Sequence, residues 1–258
     1  MRLPLVVLIS MLVLVACKTP VVGLHQDPSF TYLETIQNQF VIAGVTSSVE
    51  KLDDITRIRL GDQLGRQFHE EKPNIKVIRT GLLAKEVGNV SLMTLLDSYR
   101  VAGAINSQDV EDVRHAVPSA RYLVLSRIEQ DHISEKSNQT ESNLADSEQD
   151  KKKGEYEQVR VDVSLETTHE MGVSLTIYDL QQNLHVWSGY VSKTKTNSND
   201  SSRTFSKDKR WREELVDAFV DTLIGLDQSG YPEPPTQTEV LDDIFKGFVE
   251  NMPESTKK

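Results

Sequence analysis

A chain of 258 residues, 38% hydrophobic and 26% charged, is long enough for one large domain with appendages. Its formal net charge of −10 excludes the clustered Lys and Arg footprint that a nucleic-acid backbone requires, so no nucleic acid is expected as a partner. The same acidity gives no electrostatic hold on anionic lipid, and a single cysteine excludes an internal disulfide.

Residues 1–16 read as a secretory signal: Arg2, the apolar stretch Leu3 to Val15, then small Ala16 before the cysteine. That stretch is too short to span a bilayer, whose core of about 30 Å takes roughly 20 helical residues. The run Leu14-Val15-Ala16-Cys17 resembles a bacterial lipobox. The resemblance implies cleavage between Ala16 and Cys17 and acyl chains on the Cys17 thiol and amine. Each buried methylene contributes about 0.8 kcal/mol, and two or more chains make a stable membrane anchor without a span. In the resembling Gram-negative lipoproteins an Asp after the cysteine commonly retains the protein in the inner membrane. Lys18 stands there instead, which implies the outer membrane, periplasmic face.

Residues 17–38 read as a lipidated tether with Pro20, Pro28 and little periodicity. Residues 39–228 are expected to form a periplasmic α/β domain. Phe40 to Val45 is a buried strand; Asp53-Asp54 starts a helix through Ile55, Ile58, Leu64 and Phe68; and Ile75 to Ile78 is a second strand. A strand, a crossover helix and a strand predict a parallel pair. Two short helices follow, over 91–101 and 107–116, each with a Ser to cap it. Arg121 to Ile128 is a third strand. Residues 134–156 carry almost no apolar side chain and read as a mobile insertion.

Val159, Val161, Val163 and Leu165 alternate with polar residues as a strand with one wet face. Val173 to Tyr178 and Leu184 to Val191 are two more, antiparallel across a turn at Asp179 to Asn183. A polar loop over 196–209 leads to a helix over 211–226. Residues 229–258 hold a Pro-rich strut, Tyr231 to Pro235, and an amphipathic helix over 239–252. The fold class is therefore α/β (α+β), a mixed sheet of five to six strands flanked by helices.

Motifs for chemistry are absent. There is no Gly-rich phosphate loop, nucleophile elbow or cysteine pair, and the histidines His25, His69, His115, His132, His169 and His185 are scattered. Asp53, Asp54, Asp242 and Asp243 read as helix starts. No catalytic residue, cofactor or metal is expected. Trp187 at a strand end is either a stacking platform or, the preferred reading, a core residue under a helix. On the last helix Leu241, Phe245 and Phe248 are the candidates for partner contact; docking of that face on its own domain is the preferred reading.

The element order, with the phrase Ile177-Tyr178-Asp179-Leu180, a turn, and Val186-Trp187-Ser188-Gly189, resembles a group of bacterial envelope lipoproteins. The group includes the penicillin-binding-protein activator lipoproteins, the curli-secretion lipoprotein and the amino-terminal domain of the Tol β-propeller protein. The resemblance implies a non-enzymatic binding or assembly factor with an envelope protein as partner. An activator of peptidoglycan synthases is the alternative, and a secretion-pore subunit a further one.

Overall fold

A computed structural model describes residues 19–144, 158–206, 212–225 and 230–254. Ala16, Cys17 and Lys18 lie outside the described residues, as do 145–156 of the expected insertion. The strands are β1 (Val22–Gln26), β2 (Gln39–Ser47), β3 (Lys76–Ile78), β4 (Ala120–Leu144), β5 (Gln158–Asp179) and β6 (Leu184–Ser206). The helices are α1 (Tyr32–Gln37), α2 (Asp54–Glu71), α3 (Thr80–Val87), α4 (Asn89–Ala102), α5 (Ser107–Ala116), α6 (Arg212–Gly225) and α7 (Gln237–Glu250). The strands form one open mixed sheet in the order β1-β6-β5-β4-β2-β3, an α+β architecture as the sequence predicts.

The expected parallel pair is present, Phe40 beside Val77, and β2 is also parallel to β4. Along β4, the Arg121 carbonyl accepts from the Leu180 amide, the Arg127 carbonyl from Ser174 Oγ, and Asn138 Nδ2 donates to Glu166. The partner number falls as the β4 number rises, so β4 and β5 are antiparallel. A tight connection makes β5 and β6 an antiparallel hairpin. Asp179, almost fully buried, builds its turn by accepting from the amides of Gln181 (2.8 Å) and Gln182 (3.0 Å) and from Arg121 Nε (2.9 Å).

Two compact units share these strands: Met1–Glu129 with Gly172–Ser192 and Asp242–Lys258, and Gln130–Met171 with Lys193–Leu241. In the first unit, alternate residues of β2 serve two layers. Val41 and Ala43 pack with Leu83, Leu92, Leu96 and Val113 of α3 to α5. Phe40 turns to the opposite face, against Phe68 of α2, Tyr122 and Phe30. The C-terminal part of α7 lies beside α2, tied by Gln63 to Asp242 (2.9 Å) and Lys246 to Glu71 (3.2 Å). Helix and strand approach most closely at Gly61, where a Cβ would stand 2.7 Å from Gly44 Cα. In the second unit Val159, Val161, Val163, Leu165 and Phe205 form a core closed by Val216 and Phe219 of α6.

Several expectations are corrected. The tether over 17–38 is not unstructured: it contains β1, paired antiparallel with β6, and α1, capped by Thr31. Its few apolar side chains carried no periodicity because β1 is an edge strand exposed at every residue. Residues 134–144 are the distal half of β4 and 196–206 that of β6, not loops. Strand pairing satisfies the backbone without an apolar face, and β5 between them supplies the core side chains. The two strands expected over 159–166 and 173–178 are one, β5. Helix α3 was not expected, and α4 follows Gly88 rather than a Ser cap. Asn106, not Ser107, caps α5 through a reciprocal box with Asp109. Asp53 does cap α2, accepting from the Thr56 amide at 2.8 Å. Asp242 and Asp243 instead lie inside α7, which starts behind a Thr236–Glu239 box.

Candidate functional site

Each described side chain singled out from the sequence has a defined place. Trp187 has no exposure and stacks edge-on against Phe248, with ring centroids 6.1 Å apart, so it is a core residue and not a ligand platform. Leu241, Phe245 and Phe248 are all fully buried by the protein's own chain. A side chain with no exposed area offers nothing to a partner, which corrects the partner-contact reading in favour of docking on the chain itself. The Pro-rich stretch does not hold α7 out as a strut. Within the second unit, Asn197 donates to the Glu233 carbonyl (2.8 Å) and the His169 ring meets the Pro235 carbonyl (2.6 Å).

His169 is also the nearest thing to a catalytic constellation, since its Nε2 lies 2.8 Å from Asp131, which accepts in addition from Gln237 (3.2 Å). The Pro235 carbonyl can only accept, so Nδ1 carries a proton toward it. With both nitrogens engaged and the ring buried, the group has no free face for a substrate. It is a clasp on the start of α7. Among the described residues no three His, Cys, Asp or Glu side chains gather as a metal site.

An accessible site that the sequence did not disclose lies in the first unit. A groove of about 590 Å³ runs over the sheet between β1 and the end of α4. Its floor takes Arg127 and Glu129 from β4, Ser174, Thr176 and Tyr178 from β5, and Ser188 and Tyr190 from β6. Its walls are Val22 and Gly23 of β1 and Tyr99, Gly103 and Ala104 at the end of α4. Backbone geometry opens it. Gly103 caps α4 in the left-handed conformation, φ +67°, and a Cβ there would stand 3.0 Å from Arg127 Nη1. Gly172 leaves room for the Tyr190 ring, because a Cβ would fall 1.9 Å from its hydroxyl.

The groove holds charge but no uncompensated charge. Glu129 accepts from Arg127 Nε (2.7 Å), Ser174 Oγ (2.6 Å) and Ser48 Oγ (3.1 Å). Burial works to raise its pKa, but the bonds from Ser174 and Arg127 outweigh burial and hold it below the usual carboxylate range. Arg127 spends Nη1 on the Arg100 carbonyl at 3.2 Å. Tyr99 donates to Thr176 (3.0 Å), and burial pushes its phenol up to about 12 against the opposing effect of that bond. Burial likewise raises Tyr178 and lowers His185, which stays neutral at neutral pH beside His25, the two rings 5.1 Å apart. Tyrosine faces, hydroxyls and a self-neutralised ion pair can hydrogen-bond and stack on a neutral polar ligand. They supply no activated nucleophile and no poised base.

Ser174, Thr176 and Tyr178 share one face of a strand by their alternation, a signal that period-2 reading can find. The walls come from β1 and α4, far away in sequence, and nothing local points to them.

A second hollow of about 540 Å³, lined by Tyr32, Glu71, Lys72, Asn74 and Glu254, has its charges committed. Lys72 pairs with Glu254 at 2.9 Å and Glu71 with Lys246.

No family model and no curated protein matches the chain. Among solved structures it is similar to the lipoprotein GNA1162 from Neisseria meningitidis at 10% identity, covering 72% of this chain and 97% of that one, TM-score 0.29. The LpoB C-terminal domain from Salmonella enterica matches at 8% identity over 60% and 82%, TM-score 0.30. PelC from Paraburkholderia phytofirmans matches at 10% over 81% and 86%, TM-score 0.31. These superpositions are too loose to carry an argument about function.

Proposed function

We propose that this protein is an envelope lipoprotein, anchored through acyl chains on Cys17 in the outer membrane, that works as a non-enzymatic periplasmic binding or assembly factor. The observation that supports this reading best is the groove over β4 to β6: open, aromatic and hydroxyl-rich, its Arg–Glu pair internally neutralised. Its occupant is an uncharged polar segment of another envelope protein. The anchor is supported by the lipobox sequence.

The alternative, an activator of peptidoglycan synthases, needs reach across the wall. With β1 and α1 folded, most of the expected tether is already part of the domain, which counts against it. A secretion-pore subunit needs lipid-facing apolar residues on alternate strand positions. The distal halves of β4 and β6 carry mainly Ser, Asn, Glu, Lys and Thr instead.

Capture of partners from crosslinked envelopes by the full-length protein and by Ser188→Arg tests the proposal. The half-buried Ser188 faces the groove, so the variant is expected to lose its partner while keeping its melting temperature. Retention of every partner by a folded Ser188→Arg protein would remove the groove from the function. Mass spectrometry of the mature amino terminus tests the anchor; an unmodified Cys17 would refute it.

A further inference from the structure

The described chain is docked from its first residue. The carbonyl of Thr19 accepts from Asn251 Nδ2 at 2.8 Å, and Asn251 is itself fixed by a bond to the Gly247 carbonyl at 2.7 Å. Thr19 fills a notch that only glycine leaves open on α7: a Cβ on Gly247 would come within 2.9 Å of Thr19 Cβ and Cγ2. Two residues on, Val21 seats over Gly189 of β6, where a Cβ would meet Val21 Cγ1 at 2.2 Å. Val22 then enters the ladder opposite Tyr190. The segment from Thr19 onward is a strap laid against the first unit, not a leash.

From this we infer that the first unit rests directly on the bilayer surface, with the edge strand β1 as its lipid-contacting element; the inference rests on the acylation of Cys17 proposed above. Only Lys18 lies between Cys17 and Thr19, and the two residue steps span at most about 7 Å. The polar layer between hydrocarbon and water is itself only about 5 to 8 Å deep on each side. An acylated Cys17 therefore leaves no room for a gap between lipid and Thr19. The strand that follows is built for such a position. Among the described residues it pairs on one side only, with β6, and carries Val22 at 63% and Leu24 at 47% exposure. An exposed apolar edge strand is a liability unless something covers it, and a bilayer interface a few residues from the anchor does so. Among the described residues near the strap, Lys246 is offset by Glu71 and Glu250, so the contact that β1 makes is apolar. The groove, whose wall includes Val22 and Gly23, then opens close to the membrane, and its partner must come to that plane.

Acylation consumes the native thiol, so one new cysteine gives one labelling site. Mature acylated Leu24→Cys and Val90→Cys proteins are labelled with a small fluorophore and bound to phosphatidylethanolamine vesicles carrying headgroup nitroxide quencher. Val90 is 81% exposed at the start of α4, about 14 Å along the helix from Tyr99, its first residue in the groove. The label at 24 is expected to lose most of its emission and the label at 90 little. Ten Gly/Ser residues inserted between Lys18 and Thr19, adding roughly 17 Å of root-mean-square reach, should restore emission at 24 without touching the fold. If both labels stay bright while the protein floats with the vesicles, the apposition is wrong and the lipoprotein reading survives. If the protein does not float, the anchor fails and the inference falls with it. Shielding of the label at 24 without vesicles, with doubled mass by light scattering, would assign β1 to a second copy and overturn the lipid contact.

Discussion

Phe245 on α7 is the sharpest point at which self-docking and partner binding part company. Its side chain has no exposed area. A buried aromatic removes about 150 Å² or more from water, which at about 25 cal/mol per Å² gives roughly 4 kcal/mol. Truncation to alanine keeps one methyl of that and adds the cost of an unfilled cavity, so Phe245→Ala should lose about 3 to 5 kcal/mol. In a protein of this size each kcal/mol lowers the melting temperature by about 2 to 4 °C, so a fall of roughly 6 to 20 °C is expected. Urea denaturation and thermal melts of the purified protein at two concentrations give the value. Phe245→Leu, which retains most of the volume, should fall much less. An unchanged melting temperature for Phe245→Ala would refute the burial argument and return this helix to the list of interaction sites.

Three further outcomes follow from the packing. Gly61→Ala gains helix propensity of about 1 kcal/mol, but its Cβ would sit 2.7 Å from Gly44 Cα and 2.1 Å from Thr80 Oγ1. Overpacking of about 1 to 3 kcal/mol should win, and Thr80→Ala should relieve only part of it, because the Gly44 contact is backbone; a stabilised G61A in urea denaturation would show that α2 can lift off β2 cheaply. His169→Ala strips the Pro235 carbonyl of its donor and Asp131 of its main partner, at about 2 to 4 kcal/mol read by urea denaturation of the purified protein. Burial pushes the phenols of Tyr99 and Tyr122 up to about 12, against about 10 for an unfolded tyrosine. Between those values the folded chain holds more protons, so stability is flat below about pH 10 and falls as pH rises toward 12; phenolate absorbance rising with a single step near 10 for every tyrosine would contradict it.

The sequence by itself determined the elements whose signal is local. Phe40 to Val45 is apolar throughout because both faces of β2 are covered, and Asp53 caps α2 because a short carboxylate reaches the third amide. The turn at Asp179 to Asn183 was legible from its polar residues, and the parallel crossover from strand, helix and strand in succession. The tertiary structure decided what contiguity cannot carry. Residues 134–144 and 196–206 hold no apolar side chain but Leu144 and Phe205 yet are strand, since backbone pairing along β4 to β6 satisfies them and the Val159 to Leu165 face of β5 supplies most of the core. The edge strand β1 has no periodicity because it is exposed at every residue, with neither face covered. Whether the apolar face of α7 was covered from within depended on Trp187, dozens of residues away in the chain. The groove arises where Gly103 and Gly172 withhold a side chain so that Arg127 and Tyr190 can lie flat. That absence of atoms acquires meaning only once distant strands are side by side.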